Sequence, residues 1–153
     1  MQKKDISEFF ECLGEVVRDI AAIEFIMRCA IAKKDGEESK FPKPPYAKGK
    51  VYKVYPKAFS IIRLEEIIEE FNDKFPKIKI PEEFKQLRHA FAHGIMAEID
   101  GDGMMQLVKF KTQKNRDLEV EFSMILTLEK MKELRIVLNN LRKKIAIDAG
   151  ISK

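Results

Sequence analysis

The chain has 153 residues, 45% of them hydrophobic and 35% charged, with no tryptophan and few glycines. That composition excludes a disordered chain and describes one globular domain, long enough to bury a core and inclined to helix. The formal charge of +4, with a sequence pI of about 9.0, permits an anionic partner such as nucleic acid without demanding one.

Apolar residues in the first segment recur at helical spacing: Ile6, Phe9/Phe10, Leu13, Val16/Val17, Ile20, Ile23, Met27 and Ala30/Ile31. Asp5 followed by Glu8 resembles a capping box and sets the expected start near residue 6. Gly36 marks the stop, after lysines that suit a helix C-terminus. The apolar band is wide enough to need cover on more than one side. Cys12 and Cys29 fall on this helix about 25 Å apart, far beyond disulfide reach, and read as reduced thiols of a core. Charges interrupt the apolar pattern of MQKKDISEFFECLGEVV, so it does not read as a signal peptide. No run approaches the roughly 18 uninterrupted apolar residues of a membrane span, and a cytoplasmic protein is the expectation.

EESKFPKPPYAKGKVYKVYPK follows, rich in proline and holding all three tyrosines among five lysines from Lys43 to Lys57. Proline rules out a helix here, so this is a loop. Lysines interleaved with aromatic rings suit single-stranded RNA, with phosphates on Lys48, Lys50 and Lys53 and a base on Tyr52. The same residues also suit a solvated loop whose tyrosines pack against the protein, and the sequence leaves both open. A second helix is expected over residues 58–71, with Ile61, Ile62, Leu64, Ile67, Ile68 and Phe71 inward. Pro81 with Glu82 and Glu83 opens a third, whose buried stripe is Phe84, Leu87, Phe91 and Ile95.

After Gly94 the period changes to two. Leu107, Lys109 and Lys111 alternate with Val108 and Phe110; Leu118, Val120 and Phe122 alternate with Glu119 and Glu121. DGDG and KNRD are turn chemistry, so two or three short antiparallel strands are expected. Thr127 then caps a last helix striped by Leu128, Met131, Leu134, Val137/Leu138, Leu141 and Ile145. The expected fold is mainly α, a four-helix bundle with a small antiparallel β-element between the third and fourth helices, in a single domain over 1–153. No phosphate-cradling GxxxxGK[ST] or GxGxxG turn is present, and no cofactor is expected.

QLRHAFAHG, residues 86–94, holds both histidines of the chain, His89 and His93, beside Arg88. Four residues apart on a helix, the histidines share a face and offer two metal ligands. A third is not singled out (Asp100 or Asp102 could be proposed), there is no HExxH, and no metal is expected. The plain alternative is two surface histidines and a solvated arginine. RHAFAH, however, resembles the RX4–6H motif of the HEPN superfamily, in which the residue after the arginine is commonly Asn, Asp or His, as His89 is here. The order of long first helix, second helix, motif helix, strands and final helix is similar to one prokaryotic branch of that family.

The resemblance implies a metal-independent endoribonuclease, a toxin or phage-defence effector with an antitoxin partner. Arg88 and His93 would be catalytic, with His89 supporting. Its runner-up implication is a non-catalytic module that binds RNA or protein and dimerises. Cleavage through the 2′-OH needs proton transfer, which an imidazole supplies near neutral pH, and charge stabilisation, which a guanidinium supplies. Arg88 and His93 lie about 140° apart around an ideal helix. The resemblance resolves this with a homodimer whose motif helices meet at a cleft, a closed twofold pair. Family members silenced by a nucleotidyltransferase carry a tyrosine two residues after the motif histidine; Ile95 stands there instead.

Overall fold

The computed structural model describes residues 3–42, 48–99, 104–112, 114 and 117–151. Lys43 and Tyr46 of the lysine–tyrosine loop lie outside them, as do Asp100 and Asp102 of DGDG and Asn115 and Arg116 of KNRD. The chain divides into two compact units, Met1–Ala21 with Pro81–Leu141, and Ala22–Ile80 with Arg142–Lys153.

Helix α1 runs over Lys3–Lys34. It begins earlier than the expected capping box, so Asp5 lies inside the first turn, where a carboxylate complements the helix dipole. Its end follows the glycine signal: Gly36 has φ 72°, its N–H donates to Lys33 O at 3.0 Å, and Glu37 N–H donates to Ala32 O at 2.8 Å. Those two bonds are the Schellman closure that a left-handed glycine permits.

In the first unit α1 buries Phe9, Cys12, Val16 and Ile20. Helix α3, Glu82–His93, adds Phe84, Leu87 and Ala90, and α4, Leu128–Asp148, adds Met131 and Leu138. Thr127 caps α4 as expected, its Oγ1 accepting from Lys130 N–H at 3.1 Å. Ion pairs Lys132–Glu8 (2.6 Å) and Arg135–Glu15 (3.2 Å) join α4 to α1; being exposed to solvent, which screens them, they add little to stability. Ile6, Phe10 and Val17 stay exposed, so part of α1's wide apolar band is uncovered within the chain.

Strands β1 (Ile95–Ile99), β2 (Met104–Thr112) and β3 (Leu118–Leu126) form an antiparallel sheet in the order β1-β2-β3. Leu107 and Leu126 are its buried residues, and α3 packs on β2. A register shift between Lys109 and Phe110 pairs Lys109 with Phe122 but Phe110 with Val120. Glu121 is the extra residue of that bulge. Val120 and Phe122 therefore fall on opposite faces, where strict alternation had put them on one.

This sheet overturns the mainly α four-helix bundle with a small β-element. Among the described residues about 61% are helical and 17% are in strands, and the architecture is helices with a three-stranded sheet. The physical reason is in the long period-two stretch after Gly94. It supplies two nine-residue strands, each pairing along its length. Such a sheet needs a face buried, and α3 covers β2. Ile95, expected in the buried stripe of the third helix, is the first residue of β1 and is exposed; Phe91 is half-buried.

The second unit is built on the remainder of α1, which buries Ile23, Met27, Ala30 and Ile31, with α2 over Leu64–Lys74 burying Leu64, Ile67, Ile68 and Phe71. The second helix starts six residues later than expected, after a single 3₁₀ turn at Lys57–Phe59. Arg28 explains the delay. Its Nη1 donates to the carbonyls of Ala58 (2.7 Å) and Ile61 (2.6 Å), taking oxygens that a continuous helix would use internally. The chain is extended at Arg63, and Ile62, expected inward, is 89% exposed.

Candidate functional site

Motif residues Arg88, His89 and His93 all sit on α3, which is helical to His93 and capped by Gly94. Proline at residue 81 and two acids in the first turn start that helix, and the steric demand at Gly94 ends it. A Cβ built on Gly94 would meet Ala90 O at 2.3 Å, Val108 O at 2.8 Å and Leu107 Cδ1 at 3.2 Å. Gly94 is therefore not in αL but in extended backbone (φ −85°, ψ 175°), and its missing side chain is what lets the end of α3 press on β2.

Four residues apart, the imidazoles of His89 and His93 are neighbours, with ring centroids 6.2 Å apart and planes within 27° of parallel. His93 is exposed, and Arg88 and His89 are half-buried. Helical geometry leaves Arg88 about 140° around the axis from His93, so the structure brings the two histidines together and not the arginine with His93. Among the described residues no three His, Cys, Asp or Glu side chains gather to hold a metal ion; Asp100 and Asp102 lie outside that set.

Strand β3 contributes a group that sequence reasoning missed. Glu121, the bulge residue, accepts from Lys109 Nζ at 2.6 Å. That hydrogen bond, with the positive fields of Lys109, Lys111 and His89, holds its carboxyl below the usual glutamate range. Only the register shift places Glu121 there, and alternation alone carries no signal of it.

The loop residues belong to the second unit. Lys48, Lys50 and Lys53 are exposed, and Tyr52 is half-buried with Lys50 Nζ 5.1 Å from its ring centroid. Rather than standing free, Tyr52 lines an apolar cavity of about 450 Å³ with Phe25, Cys29, Phe41, Pro42 and Phe59. Burial pushes the Cys29 thiol up to about 11, so the cavity wall carries a neutral thiol. Glu37 anchors the base of the loop, accepting from Lys40 Nζ (2.6 Å) and from the backbone N–H of Lys57 (2.8 Å). Those bonds hold its carboxyl below the ordinary range.

No family model matches the chain, and no curated protein or solved structure matches it significantly. Among the described residues no helix is long and apolar enough to cross a membrane.

Proposed function

We propose that the protein is a metal-independent endoribonuclease of HEPN type that works through Arg88 and His93 as a homodimer. The observation that carries the reading is the pairing on α3 of the exposed His93 imidazole with that of His89, 6.2 Å away, on the helix that also carries Arg88 five residues before His93. The reading rests on this motif and not on a helical bundle.

In this chemistry the 2′-oxygen attacks the adjacent phosphorus, the bond from phosphorus to the 5′-oxygen breaks, and a 2′,3′-cyclic phosphate and a 5′-hydroxyl result. One proton leaves the 2′-OH and one reaches the departing 5′-oxygen; the exposed His93 imidazole is suited to either transfer. Arg88 stabilises the charge that develops on the non-bridging oxygens. His89, stacked on His93 and within the field of Glu121, is a positioning residue. The 140° offset between Arg88 and His93 is met by a twofold pair, each subunit supplying what the other's helix turns away. Exposed Ile6, Phe10 and Val17 supply apolar surface for such a contact.

Incubation with bulk RNA in excess chelator tests the reading. Cleavage is expected, with cyclic-phosphate ends, and His93→Ala and Arg88→Ala are each expected to abolish it while circular dichroism stays unchanged. His89→Ala should slow the reaction less than His93→Ala. RNA bound but never cut, with both variants behaving as wild type, would instead establish a non-catalytic binding module. A monomer by light scattering at tens of micromolar would remove the composite site, and loss of the dimer in the variants would make the motif an interface brace.

A further inference from the structure

Residues 40–64 contain seven basic side chains and no aspartate or glutamate. Elsewhere 22 basic residues face 25 acidic ones, so the positive surplus of the whole protein comes from this one segment. The same segment supplies Phe41, Pro42, Tyr52 and Phe59 to the cavity, and α1 supplies Phe25 and Cys29. The basic residues and the aromatic lining thus share one segment, and Lys50 Nζ, 5.1 Å from the ring centre of Tyr52, places a cation at the cavity wall.

The rings brace one another. Phe59 meets Phe25 of α1 edge-on (5.8 Å, 84°) and Phe41 at a tilt (5.9 Å, 60°), which ties the aromatic walls to the helix. A volume of about 450 Å³ lies in the range of pockets that hold small ring compounds. Its described lining offers a thiol and a phenol as its side-chain polar groups, too few to read the edge of a base by hydrogen bonds. An aliphatic carboxylate would use the cavity but would leave most of the lysines without a role. A polyanion that carries flat rings uses both.

We propose that this cavity is a subsite for an unpaired base of single-stranded RNA, stacked against Tyr52 and the phenylalanine rings, with the flanking phosphates on Lys48, Lys50 and Lys53. The naming of RNA rests on the function proposed above; the cavity and the lysine at its wall do not. Because stacking tolerates every base, the subsite confers a preference for unpaired over paired strands rather than for a sequence.

Fluorescence anisotropy with a labelled 2′-O-methyl oligouridylate, which cannot be cut through its 2′-oxygen, tests this on the full chain. Tyr52→Ala should weaken binding by about 5- to 150-fold, the loss of one base–aromatic stack, at an unchanged salt slope. Tyr52→Phe should keep wild-type affinity, separating the ring from the hydroxyl and from any folding defect. The triple change of Lys48, Lys50 and Lys53 to Gln should flatten the salt dependence by a slope of about 2. An abasic oligomer of equal length should bind wild type and Tyr52→Ala alike. If Tyr52→Ala binds the oligouridylate as wild type does while the lysine variant does not, the base subsite is wrong and RNA binding stands. No binding of the oligomer at low salt overturns both, and saturation by dodecanoate in its place assigns the cavity to acyl chains.

Discussion

The motif helix and the lysine–tyrosine loop both carry polar and aromatic side chains toward solvent, yet they are held in opposite ways. On α3, the positions of Arg88, His89 and His93 follow from 3.6 residues per turn, and one close backbone approach at Gly94 seats the helix end on β2. In the loop no helix or strand runs between the 3₁₀ turn at Glu38–Lys40 and the one at Lys57–Phe59 among the described residues. Its geometry comes from distant partners: Arg28 on two carbonyls, Glu37 on Lys57 N–H, and rings packed on Phe59. A site on a regular element is placed by local periodicity. A site on an irregular segment is only as well placed as the long-range bonds that hold it.

Gly94→Ala should separate the two regions most sharply. The added methyl would meet two backbone oxygens inside 3.0 Å, and neither is the end of a flexible side chain. A loss of about 3 kcal/mol is expected, read as a fall in Tm of about 10 °C for a domain of this size. Tyrosine-cavity binding should survive below the new Tm. A change in Tm of less than about 2 °C would mean that the end of α3 is not pressed on β2.

Arg28→Ala is the mirror experiment. It strips two short charge-assisted bonds from the carbonyls of Ala58 and Ile61, at an expected cost of about 2 kcal/mol. Arg28→Lys should recover part of this, since one ammonium replaces a fork. Both should weaken oligonucleotide binding through the loosened loop and leave His93-dependent cleavage of a minimal dinucleotide unchanged. Equal losses of the two activities would erase the distinction between the regions.

Acid should affect the loop through Glu37. Its carboxyl is held below the ordinary range by Lys40 and Lys57 N–H, so the folded pKa is lower than the unfolded one. The stabilisation is then present above the ordinary glutamate range and is lost as pH falls through the lower folded value. Tyrosine fluorescence should report loosening there in the wild type and a flatter profile in Glu37→Gln. Identical profiles would remove Glu37 as the anchor. Glu121 has the same sign, so Glu121→Gln serves as the matched control on the sheet, where little change in tyrosine signal is expected.

Much of the fold was legible where one local rule acts alone. Helical spacing marked α1, α3 and α4, Gly36 marked the stop of α1, and Thr127 marked the start of α4, because each depends on residues within a turn of one another. The period-two stretch announced strands between α3 and α4, but not that they make a sheet large enough to displace a helical bundle as the fold. The start of α2 was misplaced because Arg28, thirty residues away, claims the carbonyls that would have extended it. Ile95 was misassigned for a related reason, since the close approach at Gly94 ends the helix before it. At the candidate sites, sequence alone set which side chains are present and which of them share a helical face. Only tertiary structure decided that Glu121 lies in the field of His89 and that Tyr52 lines a cavity. A bulge, a long-range hydrogen bond and a ring packed edge-on are contacts between residues far apart in the chain, and no local pattern encodes them.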